Sequence, residues 1–312
     1  MCIRDIEPIR YSRYVDECCY ILIEAAEFPT DTSVCHLTRL HGLAYRIAHT
    51  FTRDDYHMTP DFTSAPTGAC VKAFEADLLQ LKSSFPEEVH NNGRQARVVG
   101  ALGLTCSAVL FMHYYIVEIF LYEGAIDESD QPPRYGMYPF TRLHMLHACL
   151  ESTRLCFDAF HSIPLSRLFD LPYTTWTSLG HAIVVLSKLS LLRTKDWDHA
   201  YMQNVLNFSE CMDNLTRKLD NAKSLAESTM DRDGQILLPQ DVPQLFSMLP
   251  GTLQRVKTVH EAMYAAQISA SGEGLELHSV EVGGTFTDDD FLMPSATSFS
   301  DIFNEDFWQH FT

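Results

Sequence analysis

Twenty consecutive residues between Arg97 and Glu118, VVGALGLTCSAVLFMHYYIV, carry no charged side chain. A helix through them is apolar on every side, so lipid or other helices must surround it. The length nearly spans a bilayer. Thr105, Ser107 and His113 interrupt the run, however, and no cluster of Lys or Arg flanks it to set an orientation. We therefore expect a buried central helix, which obliges the rest of the chain to supply amphipathic partners.

It supplies them repeatedly. Leu37, Leu40, Ala44, Ile47 and Phe51 share one helical face, as do Val71, Phe74, Leu78, Leu81 and Phe85. The same period places Leu143, Leu146, Leu150, Phe157 and Phe160 together, and then Val205, Met212, Leu215 and Leu219. Thr174 to Leu192 is a further strongly apolar helix, and Pro239 to Gln267 reads as helical. Loop signals separate them: Asp54 to Gly68, Asn91-Asn92-Gly93, Asp127 to Pro139 and Asp231 to Gly234, with Pro164 and Pro172 bracketing a turn. Only Leu275 to Val282 alternates like a strand, and no repeat of fixed period is visible. The expectation is an all-α fold, a single bundle of about eight to ten helices. With 312 residues, 46% of them hydrophobic, a sizeable core is within reach.

Charge divides the chain in two. Residues 269–312 hold nine acidic side chains and no Lys or Arg, half of the formal net charge of −18. Asp288, Asp289 and Asp290 stand beside Phe291, and Phe303, Phe307 and Trp308 follow among further acids. Acidic–aromatic interleaving keeps bulky side chains solvated, as in disordered activation segments. Docking of Phe307 and Trp308 on the chain's own core is the competing reading, and one end of a tail can order alone. The expected organisation is a helical domain over 1–268 and an acidic–aromatic, partly disordered tail over 269–312. So negative a chain is repelled by phosphate backbones, which counts against its holding DNA or RNA unaided. The nine scattered cysteines, with a charged N-terminus that does not read as a signal peptide, suggest reduced thiols inside a cell.

Catalytic signatures are absent: no G-x-S-x-G, G-x-x-x-x-G-K, G-x-G-x-x-G or H-E-x-x-H occurs. His144 and His147 lie near Cys149 and Cys156, but Cys149 diverges from His147 on a helix, so no metal and no cofactor is expected. Asp54-Asp55, Asp196-x-Asp198, the triple Asp at 288–290 and the face of Asp213, Thr216 and Asp220 invite comparison with magnesium–diphosphate motifs. No basic clamp accompanies them, and solvated surface acids explain them as well; no catalytic residue is assigned. A small-molecule pocket is a further candidate, with His113, Tyr114 and Tyr115 facing Trp176. Ordinary core packing is the plainer account of those four side chains.

Several stretches resemble the effector region of fungal zinc-cluster transcription factors, regulators with an N-terminal six-cysteine, two-zinc DNA-binding module. They are Cys19 to Asp31 (CYILIEAAEFPTD), Leu110 to Ile126 (LFMHYYIVEIFLYEGAI), His147 to Pro164 (HACLESTRLCFDAFHSIP) and Leu171 to Leu192 (LPYTTWTSLGHAIVVLSKLSLL), followed by Asp196-Trp197-Asp198. The ordered series runs from about residue 11 to about 268, and its most telling stretch is Leu171 to Leu192, with Pro172, Trp176, Leu186 and Leu189. The resemblance implies a nuclear, all-helical regulatory domain of the kind that controls fungal metabolic genes, with the cytoplasm as the other compartment. It does not bring DNA reading with it, because Cys2 and the adjacent Cys18-Cys19 lack the C-x2-C-x6-C spacing of the zinc module. A fragment of a longer regulator, a regulator acting through partners, and a helical scaffold recruited to another task all fit that departure. The expected function is transcription regulation through contacts with the transcription machinery or a DNA-binding regulator, with a small-molecule effector as a further ligand class and no membrane. The alternative is a helical ligand-binding protein or enzyme, such as a metal-dependent lyase acting on an isoprenoid diphosphate.

Overall fold

The computed structural model describes residues 11–28, 30–51, 65–85, 100–126, 142–194, 197–230 and 244–272. Nine α-helices occur among them: α1 (Arg13–Ala25), α2 (Asp31–Phe51), α3 (Ala65–Ser83), α4 (Gly100–Tyr122), α5 (Arg142–Ser162), α6 (Tyr173–Leu191), α7 (His199–Val205), α8 (Phe208–Met230) and α9 (Gln244–Gly272). Short 3₁₀ turns cover Glu123–Ala125 and Leu165–Asp170, and no strand occurs among the described residues. The all-α expectation therefore holds. The alternating stretch at 275–282, the loop signals at 91–93, 127–139 and 231–234, and all of 273–312 lie outside the described residues.

The uncharged run is the axis of the molecule. Leu110, Met112, Ile119 and Leu121 of α4 are fully enclosed, with Tyr114 and Val117 almost so. This helix is long and apolar enough to cross a membrane, yet 78% of its most apolar window is buried against the other helices. Helix α5 packs along it most extensively, with α2, α6 and α3 around the remaining sides. Each such side chain removed from water contributes roughly 1.5–3 kcal/mol, so α4 is the main source of cohesion.

Neighbouring helices run antiparallel, and cross-contacts give the register. Between α1 and α2, the Cys35 thiol donates to the Cys19 carbonyl at 3.4 Å, and the Arg39 guanidinium lies 3.4 Å from the Asp16 carboxylate. Between α4 and α5, the Ser152 hydroxyl donates to the Glu118 carboxylate at 2.8 Å. Between α8 and α9, the Lys257 ammonium binds the Asp213 carboxylate at 2.7 and 2.8 Å, and the Ser209 hydroxyl donates to Glu261 at 2.8 Å.

Local chemistry sets the ends. The Phe28 amide donates to the Asp31 carboxylate at 2.9 Å where α2 begins, and the Asp198 carboxylate accepts the Tyr201 amide at 3.0 Å at the start of α7. Helix α3 starts at Ala65, inside the stretch expected as loop up to Gly68. Pro66 signals a loop in isolation, but in a first helical turn the amide it lacks would have had no partner anyway. Pro250 lies inside α9 and removes one bond from its ladder. At the other end of the bundle, the Trp197 indole donates to the Leu189 carbonyl at 3.1 Å, fastening the chain that follows α6.

Candidate functional site

The four side chains proposed as a ligand pocket occupy three neighbourhoods. Tyr114 and Tyr115 sit together, ring centroids 5.4 Å apart, on the face of α4 toward α3 and α5. His113 points instead toward α2, where its ring meets that of His41. Trp176, at the start of α6, packs edge-on against Phe160 of α5 at 5.8 Å. His113 and Tyr114 are buried and Tyr115 is half-buried. The contacts of all four are those of a packed interior.

Around the tyrosines the structure assembles a polar cluster that the sequence pattern did not single out. The Lys82 ammonium, at the end of α3, stands 4.7 Å from the ring centre of Tyr114 and 5.5 Å from that of Tyr115. Glu118 accepts from Ser152 and from the Tyr114 hydroxyl, and the Tyr122 hydroxyl donates to Glu75 at 3.1 Å. Burial raises the Glu118 carboxyl above its usual range, against the pull of those hydrogen bonds and of Lys82. Burial likewise raises the Tyr115 phenol to about 12. The cluster joins three helices by charge, hydrogen bonds and cation–π contact, and so fixes how α3 and α5 lie on α4. Glu118, the first acid after the apolar run, was the available signal: a carboxylate directly following a buried stretch needs partners.

A second polar locus lies between α6, α8 and α9. The Ser190 hydroxyl donates to the Ser187 carbonyl at 2.8 Å and lies 2.5 Å from Nε2 of His260. With the serine proton already given to a carbonyl, Nε2 is the donor in that contact and Nδ1 is left as an acceptor. That Nδ1 is buried without a partner. The imidazole stacks on Phe208 with centroids 3.8 Å apart, and burial lowers its pKa to about 4, so the ring is neutral at physiological pH. An open cleft of about 310 Å³ adjoins it, lined by Gln203, Asn207, Phe208, Ser209, His260, Glu261 and Tyr264.

The acid and metal candidates distribute as follows. Asp213 is bound by Lys257, and Asp198 caps α7. Asp54, Asp55, Asp196 and the triple Asp at 288–290 lie outside the described residues. The His147 ring sits between Trp197 and Tyr201, at 5.3 and 5.2 Å. Cys149 and Cys156 are enclosed thiols that burial pushes well above the ordinary range, so neither is primed as a thiolate. No group of three or more His, Cys, Asp or Glu side chains converges on a metal-sized site among the described residues. The tail residues Asp288, Asp289, Asp290, Phe291, Phe303, Phe307 and Trp308 lie outside the described residues.

Comparison with known proteins places this body in context. Residues 165–308 match the ATEG07667_C family model, described as a C-terminal domain. A transcription factor of Aspergillus terreus is 25% identical over 225 residues, covering 69% of this chain and 35% of its own. Transcription factor opdL of Penicillium oxalicum is 27% identical over 199 residues, 63% of this chain and 31% of its own. Transcription factor himD of Aspergillus japonicus is 24% identical over 226 residues, 71% of this chain and 34% of its own. The chain thus spans about a third of the length of these relatives. No solved structure matches. The chain is thus similar to a region of fungal transcription factors, and the C-terminal domain model matches it from the turn after α5 to residue 308.

Proposed function

We propose that this chain is a regulatory effector unit of fungal transcription, working in the nucleus through contacts with other proteins rather than by reading DNA itself. One observation carries the reading: the family match runs unbroken from residue 165, through α6 to α9, to residue 308. The match thus spans α6 to α9 and the acidic–aromatic stretch to residue 308, and relatives that align with 63–71% of this chain are named as transcription factors. In this reading the helical body over 1–268 is a folded platform, and the tail over 269–312 is the segment that partners grasp. Its aromatic side chains supply apolar anchors, while nine carboxylates keep them solvated and attract basic partner surfaces. The same negative charge repels nucleic acid, so recognition of a promoter falls to another module or another protein.

The test is a fusion of residues 1–312 to an unrelated DNA-binding domain, read on a reporter in fungal cells. The fusion should raise output over the DNA-binding domain alone, and the same fusion ending at residue 268 should not. Output independent of the tail would overturn the assignment of the contact to 269–312; no output from either would overturn the effector reading.

A further inference from the structure

We propose that Cys19 and Cys35 are a site of reversible oxidation, at which hydrogen peroxide closes a disulfide that staples α1 to α2. The two residues are 16 positions apart in the chain, and the antiparallel helices set them side by side. The Cys35 thiol donates to the Cys19 carbonyl at 3.4 Å and is within hydrogen-bonding reach of the Cys19 thiol. Thiols already in contact across two helices need little backbone movement to bond. Neighbouring cysteines are placed differently. Cys18 is half-buried and turns to Tyr14, one turn back on α1. Cys149, Cys156 and Cys211 are enclosed in the core among the other helices.

Cys19 is the only fully enclosed side chain of α1, so little apolar burial holds this helix to the body. An element so attached opens locally more often than the central helices do, and opening admits a molecule as small as peroxide. Arg39 supplies positive charge beside the pair, which favours the thiolate. Burial assigns the order of events. Cys35 is wholly enclosed, its proton held by a carbonyl, and burial pushes its pKa up to about 11. Cys19 therefore attacks first. Its sulfur bonds to one peroxide oxygen, the O–O bond breaks, and the departing hydroxide leaves with the Cys19 proton as water. The Cys35 sulfur then attacks the resulting sulfenic sulfur; the S–S bond forms, the S–O bond breaks, and the Cys35 proton leaves with hydroxide as a second water. The thiols lose two electrons and peroxide gains them. A dithiol reverses the change by exchange, as transient disulfides of reducing compartments require. The inference stands independently of the effector reading.

The test treats the folded, fully reduced 312-residue chain with hydrogen peroxide, alkylates the remaining thiols, and cleaves after glutamate. Cuts at Glu17, Glu24 and Glu27 part Cys19 from Cys35, so a bond between them appears as a linked peptide pair in mass spectrometry. That pair should form in the wild type and in Cys18→Ser, and should vanish with dithiothreitol, while Cys149 and Cys156 stay reduced. Amide exchange along α1 should slow about tenfold on oxidation, and Cys35→Ala should show no such change. The wild-type map needs no variant to fold. Peroxide that leaves Cys19 and Cys35 reduced, a link from Cys35 to Cys18 instead, or a Cys19–Cys35 link with α1 exchange unchanged would each overturn the proposal.

Discussion

The ring of His113 meets the ring of His41 edge-on, with centroids 5.2 Å apart and planes 86° to each other. His113 belongs to the central helix and His41 lies against it, and no carboxylate favours the cation of either ring. Burial drives the His113 pKa down to about 3, and the nearby His41 adds to the effect. Burial also lowers His41. Nε2 of His113 has no hydrogen-bond partner.

A pH dependence follows. With an ordinary value of 6.5 and a folded value of about 3, His113 stays neutral in the folded chain while the unfolded chain takes up a proton. Stability from this group is complete above pH 6.5 and falls as pH drops through that window, at up to about 1.4 kcal/mol per pH unit. His260, lowered to about 4, acts in the same direction. Glu118, raised by burial, acts in the opposite one, losing stability as pH rises above its ordinary range. His113→Phe should therefore flatten the fall in Tm between pH 6.5 and 4 without lowering Tm at pH 7.5 by more than a few degrees. An unchanged slope would remove His113 from the account.

Two glycines should respond oppositely to the same change. A Cβ on Gly42 would lie 2.6 Å from the ring of Tyr11, which is seated directly on α2. Gly42→Ala should cost about 1–3 kcal/mol by pushing Tyr11 and the start of α1 away. Gly251, within α9, has nothing within 4 Å of that position. Gly251→Ala should therefore stabilise by about 0.5–1 kcal/mol. Urea titrations of both variants check the pair.

Lys218 holds the end of one helix from the flank of another. Its ammonium donates to the carbonyls of His161 at 2.9 Å and Ile163 at 2.6 Å, where α5 stops. Burial lowers its pKa, yet the two carbonyls and the helix end both favour the cation. Lys218→Met keeps the stem and deletes both bonds. We expect a loss of about 1.5–3 kcal/mol in chemical denaturation. A loss no larger than that of Lys223→Met on the same helix would contradict the capping role.

Much of this architecture was legible in the sequence because helices declare themselves by period. Leu40, Ile47, Leu78, Leu146, Leu150, Leu215 and Leu219, placed on apolar faces by spacing alone, are all buried. Charge-free composition placed α4 at the centre without any need for its neighbours. Pairings across helices were not legible: nothing in the spacing of Lys82, Glu118 and Ser152 says that they meet, since three separate helices bring them together. Likewise Trp176 and His113 share apolar surroundings in the sequence but serve different interfaces, Trp176 against Phe160 of α5 and His113 against His41 of α2. Pro66 misled because proline breaks a helix interior and suits a helix start, and the residues alone do not say which applies.

The most direct test of the effector account substitutes the tail's terminal aromatics in place. With residues 1–312 fused to an unrelated DNA-binding domain, Phe303→Ala, Phe307→Ala and Trp308→Ala together leave every acidic charge unchanged. At matched protein level and nuclear entry, reporter output should fall to that of the fusion ending at residue 268. Full output from the triple variant would contradict the claim that these side chains anchor the partner.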